Sequence, residues 1–457
     1  QAEFPFCGTD RASAIAAIYT GSTPSVNGVI AENWLDAGTL RPVNCVDDSD
    51  FMGNYTDEST SPSRLLTSTL ADELKIATRN KGLVYAVAPF RDAAIFGAGH
   101  AGNGAFWLNE NTGKWCSTTY YSEFPWWLSQ YNERKSPDFR MKDKVWTPSH
   151  PITSYTFLPE WRTEPFKYKL DSERINKFRR LITSPFINEE VNLLTEELLN
   201  KSTMGQDETP DLLSLTYYAG NYNHRSVQEC AMEMQDTYVR LDRSIASLLD
   251  LIERKIGLHN VLFCITSTGY ADAETADAGI YRVPGGEFYL NRCATLLNMY
   301  LMATYGEGQY VEAYYNQQIY LNHKLIENKQ LSLTEIQEKA AEFLVQFSGV
   351  NEVYSSQRLL LGPWSPQIER MRNGFHRKRS GDLLIDVLPG WTIMQENSTD
   401  NRVVRTAAIP APLILLGTGI KAETVRIPVS VSRIAPTLAS VMRIRAPNAS
   451  TATPLDF

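Results

Sequence analysis

A chain of 457 residues, 43% hydrophobic and 21% charged, is long enough for one large core or up to about three average domains, and it has the composition of an ordinary globular protein. Its 44 Lys and Arg stand against 52 Asp and Glu, a net charge of -8, which does not supply the basic surface expected for affinity to a nucleic-acid backbone, so nucleic acid is not an expected partner. No stretch reaches the ~18 to 20 uninterrupted apolar residues that span a bilayer, and Gln1-Ala2-Glu3-Phe4 is not a signal peptide.

Apolar runs of strand length alternate with amphipathic helical stretches, an order that predicts an α/β fold on a mostly parallel sheet. The first element is a helix over 64–78, with Leu65, Leu66, Leu70, Leu74 and Ile76 at helical spacing. A strand comes next, at 83–89. The short apolar run 93–96 reads as another strand, leading into Gly97-Ala98-Gly99-His100-Ala101-Gly102. That segment satisfies GxGxxG, yet a dinucleotide site needs a helix whose N-terminus meets the pyrophosphate. The residues after Gly104 have instead a hairpin pattern, Ala105-Phe106-Trp107-Leu108-Asn109 and the turn Asn111-Thr112-Gly113, so the glycines are read as a turn. Residues 107–161 are dense in Trp, Tyr, Pro and Ser, which suits a loop-rich excursion packed by aromatics. Its part from Trp115 to Trp127, with Tyr120, Tyr121, Phe124 and Trp126, is either a contact surface or an internally packed loop.

Further along, a strand at 212–218 precedes a long helix at 232–256, and two more strands lie at 261–266 and 412–416. Open α/β sheets hold their sites beyond the carboxyl ends of strands. The segments to weigh are therefore Gly220-Asn221-Tyr222-Asn223-His224-Arg225, Thr266-Ser267-Thr268-Gly269-Tyr270 and the residues after Leu416. His224 is a candidate base or a hydrogen-bonded loop residue; the hydroxyls around Thr268 make a phosphate cradle or a plain turn. There is no GxSxG elbow to support a hydrolase triad. Residues 284–361, with helices at 293–305 and 333–347, read as an inserted α+β cap between a first core part, 1–283, and a last one, 362–457. The six Cys and six His are scattered without CxxC, HxH or HExxH spacing, so no local motif points to a metal. Four N-x-S/T triplets begin at Asn54, Asn200, Asn397 and Asn448, a pattern frequent by chance.

Two early segments, Ala17-Ile18-Tyr19-Thr20-Gly21-Ser22-Thr23-Pro24 and Gly28-Val29-Ile30-Ala31-Glu32-Asn33-Trp34, join three later ones: Asp236-Thr237-Tyr238-Val239-Arg240-Leu241-Asp242, Arg282-Val283-Pro284-Gly285-Gly286-Glu287-Phe288 and Ile434-Ala435-Pro436-Thr437-Leu438-Ala439. Together they resemble the type I phosphodiesterase and nucleotide pyrophosphatase branch of the alkaline phosphatase superfamily. The resemblance implies a three-layer α/β core with a cap, and a protein exported to the periplasm or cell envelope.

Enzymes of that kind use two zinc ions held by Asp and His, a Thr or Ser nucleophile, and Asn, Lys and Arg contacts to the phosphoryl oxygens. The paired cations activate the nucleophile and clamp the in-line transition state. Laid on this chain, the resemblance puts the nucleophile at Arg11, with Thr9 and Ser13 nearby, the Asn at Glu32, and the Lys-x-Arg pair at Phe90 and Asp92. The Asp-x-x-Gly-His motif falls on Asn221 and Arg225, with His224 one residue out of register, the next Asp-His pair on Thr268 and Gly269, and the last His on Asn401. The first metal Asp lies, in the family, on an opening strand and helix that would precede residue 1; either that start is cleaved or not part of this sequence, or another segment completes the sheet.

The resulting expectation is a cleft without catalytic residues, metal or cofactor. Arg11 and Arg225 bring positive charge in place of the cations, either paired with Glu32 and Asp92 or merely solvated. Arg11, Glu32, Asn221, Arg225, Thr268 and Asn401 would line it, with a small anion as a candidate occupant and another protein of the cell envelope as partner. The alternative is a divergent phosphoesterase or sulfatase-like hydrolase with two zinc ions, using Thr9, Ser13 or Thr268 as nucleophile and His224 as base.

Overall fold

The computed structural model describes residues 1–171, 177–225, 229–269, 285–394, 402–403, 410–417 and 420–456. Asn401 and the triplet at Asn397 lie outside them. A five-stranded sheet runs in the order Leu212–Leu215, Val84–Ala88, Gly104–Leu108, Trp115–Thr118, Gly53–Asn54. Its first three strands are parallel. Trp115–Thr118 returns antiparallel, Trp107 facing Cys116, as the hairpin pattern around 111–113 requires, and Gly53–Asn54 pairs antiparallel at the edge. Phe263–Thr266 and Leu413–Leu416 form a separate antiparallel pair.

Side chains alternate across a strand, and here the alternation divides the core in two. Ala86, Ala88, Ala105 and Trp107 pack with Ala12, Ile15, Ala93 and Phe96 of the helices Arg11–Thr20 and Arg91–Ala98. Val87, Phe106, Leu108 and Trp115 face the opposite way, into an aromatic cluster shared with the helix Phe186–Lys201. The helix predicted at 232–256 spans Ala231–Lys255 and packs on Phe186–Lys201. The layers are thus helix, sheet, helix.

Two predicted elements are corrected. The run 93–96 is not a strand but the middle of the helix Arg91–Ala98. Because that helix is wedged between the sheet and Arg11–Thr20, every residue from Asp92 to Ala98 is buried, which erases the polar stripe that marks a surface helix. The glycines beyond it end the helix: Gly99 has φ +67, and a Cβ there would stand 2.2 Å from Thr69 Oγ1. The helix predicted over 64–78 begins only at Leu70, where Thr69 and Asp72 form a capping box.

His100, just beyond those glycines, has Nδ1 2.9 Å from Asp72 Oδ2 and Nε2 2.9 Å from the Leu65 carbonyl. Both partners accept, so the two bonds coexist only when both ring nitrogens carry a proton. Burial opposes the charge, but the bond and charge of Asp72 outweigh it and raise the His100 pKa above its ordinary value. A raised folded pKa contributes stability that is complete below about 6.5 and is lost as pH rises through the folded value. Asp72 is shifted the other way: its burial is outweighed by His100 and the backbone donors of Thr69 and Ala101, so its contribution is lost on acidification below about 4. The stability deficit of His100→Gln is expected to be largest near pH 5 to 6 and to shrink as pH rises through the folded value; urea midpoints measured from acid to alkaline pH check it.

Most of the aromatic excursion points inward. Trp115, Trp127 and Trp146 are buried, and of the aromatic residues in the 115–127 stretch only Trp126 is largely exposed, beneath Lys201. Contrary to a loop without regular helix, the segment holds the short helices Trp126–Arg134 and Pro137–Met141. In the predicted insertion, Val311–Tyr315, Gln318–Leu321, Leu383–Val387 and Val350–Ser355 form an antiparallel sheet in that order. The helices Leu290–Tyr305 and Leu333–Leu344 cover it, and one apolar cluster runs from Phe288 to Ile393, taking in Leu383–Val387 as well as 284–361.

Candidate functional site

The site is assembled by the first turn of the helix Arg11–Thr20. Asp10 is its N-cap: the carboxylate accepts from Ser13 N at 2.9 Å, and Ser13 Oγ accepts in return from Asp10 N at 3.0 Å. The second Asp10 oxygen accepts from Glu32 N at 2.5 Å, which brings the loop carrying Glu32 against the helix start. Burial pushes the Asp10 carboxyl up in pKa despite these bonds.

Arg11, the first helical residue, reaches across this junction. Its Nη2 donates to Glu32 Oε1 at 2.7 Å and its Nε to both oxygens of Asp92, at 3.1 and 3.2 Å. Asp92 is 3% exposed and sits in the first turn of Arg91–Ala98, where a negative charge suits the helix dipole. The guanidinium lies 4.1 Å from the centroid of the Phe90 ring. Burial works against the Arg11 cation, but Asp92 and Glu32 outweigh it and hold it charged. Glu32 is raised by burial and by its acidic neighbours more than Arg11 lowers it. One cation thus meets three carboxylates, Asp10, Glu32 and Asp92, a field that repels a phosphate. Cys45, buried beside the group, is held well above the usual thiol range by burial and by the same carboxylates.

Asn221, Arg225 and His224 lie past the end of the neighbouring strand, Leu212–Leu215. The Phe90 ring is 6.0 Å from Tyr218, whose hydroxyl donates to the Asn221 carbonyl, and Asn221 Nδ2 donates to the Arg225 carbonyl at 2.9 Å. The two parts of the site are therefore linked, but Arg225 does not take the expected place beside the carboxylates. Among the described residues it makes no ion pair with Glu32 or Asp92; its Nη1 donates to Tyr168 OH at 3.3 Å. The Tyr168 hydroxyl donates to buried Glu233, which Arg162 also pairs with. The physical reason is position: the chain after Tyr218 turns away through the short helix Tyr222–His224, with Asn223 and His224 both left-handed, and carries Arg225 to the aromatic side.

The remaining candidates do not converge. Ser13 is fully buried and its hydroxyl donates to Asp10 Oδ1 at 2.7 Å. Thr9 Oγ1 donates to the Phe6 carbonyl at 3.4 Å, and His224 is exposed on a different segment. Thr268 lies in a turn where Gly269 N donates to Ser267 Oγ, and among the described residues it has no hydrogen bond to the Arg11 group. Sequence reasoning misses Asp10 as a site residue, although its spacing to Ser13 is a cap signal. The guanidinium of Arg11 bridges Glu32 and Asp92, and among the described residues no three His, Cys, Asp or Glu side chains are grouped to hold either of the two zinc ions that the resemblance implies.

Comparison with known proteins agrees with the resemblance. A profile of the family described as type I phosphodiesterase / nucleotide pyrophosphatase matches residues 3–409. The chain is 27% identical to alkaline phosphatase PafA of Elizabethkingia meningoseptica over 96% of its own length and 83% of that protein. It is 25% identical to alkaline phosphatase PhoV of Synechococcus elongatus over 98% of its length and 83% of that one. The crystal structure of PafA superposes with a TM-score of 0.87 at 26% identity, covering 99% of this chain and 90% of that chain.

Proposed function

Because the chain belongs to the type I phosphodiesterase / nucleotide pyrophosphatase family and has the α/β alkaline-phosphatase-like fold, we propose that it keeps this phosphoesterase fold for binding or assembly and does not turn over phosphate esters by the two-metal route. The carrying observation is that Arg11, Glu32, Phe90 and Asp92, which stand where the resemblance puts the nucleophile and three phosphate contacts, hold one another. Each is unsuited to the role by itself. A guanidinium stays protonated and cannot attack, a carboxylate repels the phosphoryl oxygens, and a phenyl ring donates no hydrogen bond. As a set they are self-consistent, since the buried charge of Asp92 is paired. What the group does is mechanical: Arg11 fastens the start of its helix to the Glu32 loop and to the helix Arg91–Ala98. The resemblance supports an exported protein of the periplasm or envelope, and the proposed partner is another envelope protein. No helix among the described residues is long and apolar enough to cross a membrane.

The relatives favour a second reading, a phosphoesterase working from a rearranged site, because PafA and PhoV are both named alkaline phosphatases. Assay of a chromogenic phosphate ester with Ser13→Ala and His224→Ala separates the two. Ser13→Ala is expected to lower stability by about 1 kcal/mol through loss of the capping box and to leave the background rate unchanged, as is His224→Ala. A measured turnover abolished by either change would establish the second reading.

A further inference from the structure

The acidic chain concentrates positive charge in one place. From Arg358 to Arg379 it carries six Arg and Lys against a single Glu, in a molecule of net charge -8. The helices Ser356–Leu361 and Pro366–Gly374 form a hairpin whose underside is the small cluster of Tyr354, Leu359, Ile368, Phe375 and Leu384. The end of the first helix and the connection leave three large apolar side chains outside: Leu360 at 53%, Leu361 at 78% and Trp364 at 68% exposure.

This tip is held in shape. Arg372 donates to the carbonyls of Leu359 and Gly362, and its guanidinium lies 5.1 Å from the Trp364 ring. At the other end of the hairpin Arg379 donates to the carbonyl of Arg64 at 2.7 Å and stacks on Trp34, which anchors the hairpin to the sheet-bearing core. Between these anchors Arg377 and Lys378 are exposed, and among the described residues neither is in an ion pair. Their field is not neutralised locally: besides its own burial, the charges of Arg379, Lys378 and Arg377 depress the pKa of the adjacent His376.

We propose that this hairpin docks the chain on a bilayer surface rich in acidic phospholipid, with Leu360, Leu361 and Trp364 entering the headgroup layer and Arg377 and Lys378 meeting lipid phosphates. A Trp and leucines at one end of a hairpin whose other end carries exposed basic residues combine the residue types that favour the membrane interface. Three exposed apolar side chains can insert into a fluid layer without a matched pocket, whereas a protein partner needs a broad complementary surface. The net negative charge of the molecule does not forbid it. At physiological salt charges act over about 8 Å, so the residues nearest the surface decide the interaction and its orientation. The inference does not depend on whether the Arg11 site is active.

Co-sedimentation of the full chain with vesicles of phosphatidylglycerol in phosphatidylcholine tests it, against phosphatidylcholine alone. Binding to the anionic vesicles only is expected, weakened by 1 M salt. The R377E/K378E variant should bind at least about tenfold more weakly, and L361S and W364S should weaken binding while keeping the wild-type thermal midpoint. Absence of binding to anionic vesicles, or undiminished binding by the charge variant, would overturn the proposal. So would retention on a polyglutamate matrix without vesicle binding, which would assign the surface to an acidic protein.

Discussion

Arg11→Ala is expected to cost about 3 kcal/mol of folding stability, read as a lower urea midpoint at unchanged slope. Removing one partner of a buried pair strands the other, and Asp92 at 3% exposure is the stranded charge. Losses of this kind run to about 3–5 kcal/mol. The lower end applies because the Arg11 and Glu32 side chains are 23% and 40% exposed, so water screens that arm. The loss of the guanidinium stacked on Phe90 adds a smaller amount, about 0.5–1 kcal/mol. Arg11→Met combined with Asp92→Leu should recover most of the deficit, because an apolar pair of similar volume leaves no buried charge. A change below about 1 kcal/mol for Arg11→Ala would mean that the group is solvated rather than paired.

The other large effect is expected at Asp236, which has no exposed surface. Its two oxygens accept from Trp146 Nε1 at 2.6 Å, Ser149 N at 2.6 Å, Tyr155 OH at 3.0 Å and Arg240 Nε at 2.7 Å. Asp236→Ala leaves the buried indole N–H and a backbone N–H without acceptors, each a loss of about 1–3 kcal/mol. A total of about 4 kcal/mol is expected, and Asp236→Asn should not rescue it, since its NH2 would face two of the four donors. Burial alone would raise the Asp236 pKa, but the donors, led by Trp146 and Arg240, lower it. Its contribution is therefore present above about pH 4 and lost as pH falls through the folded value. Near-ultraviolet circular dichroism should report it, because Trp146 sits among Phe166, Phe186 and Tyr222.

Val84–Ala88 and Gly104–Leu108 read as strands because short apolar runs bounded by turns have few other uses. Arg91–Ala98 does not read as a helix because burial on all sides removes the periodicity on which a helix is recognised. The start at Leu70 is blurred by Leu65 and Leu66, which fit helical spacing by chance, Leu65 being buried and Leu66 exposed in the turn before the cap.

At the site, resemblance rather than periodicity identifies Arg11, Glu32, Phe90 and Asp92. Nothing in the spacing of residues 81 apart says that Arg11 and Asp92 touch. The legible part is the chemistry: a cation and two carboxylates in positions that cannot all be left unpaired. Arg225 escapes the same logic because its direction depends on two left-handed residues, Asn223 and His224, neither of which is a glycine that would announce the turn.

The central claim, that the Arg11–Glu32–Asp92 group occupies the place of the family's reaction, is tested most directly by the metal content of the purified chain. Elemental mass spectrometry before and after incubation with zinc is paired with turnover of a chromogenic phosphate ester on the same samples. The account predicts no stoichiometric zinc and no zinc-dependent turnover, in the chain itself and in Arg11→Ala alike. About two zinc ions per chain, the number two-metal chemistry uses, with turnover that a chelator removes, would contradict it.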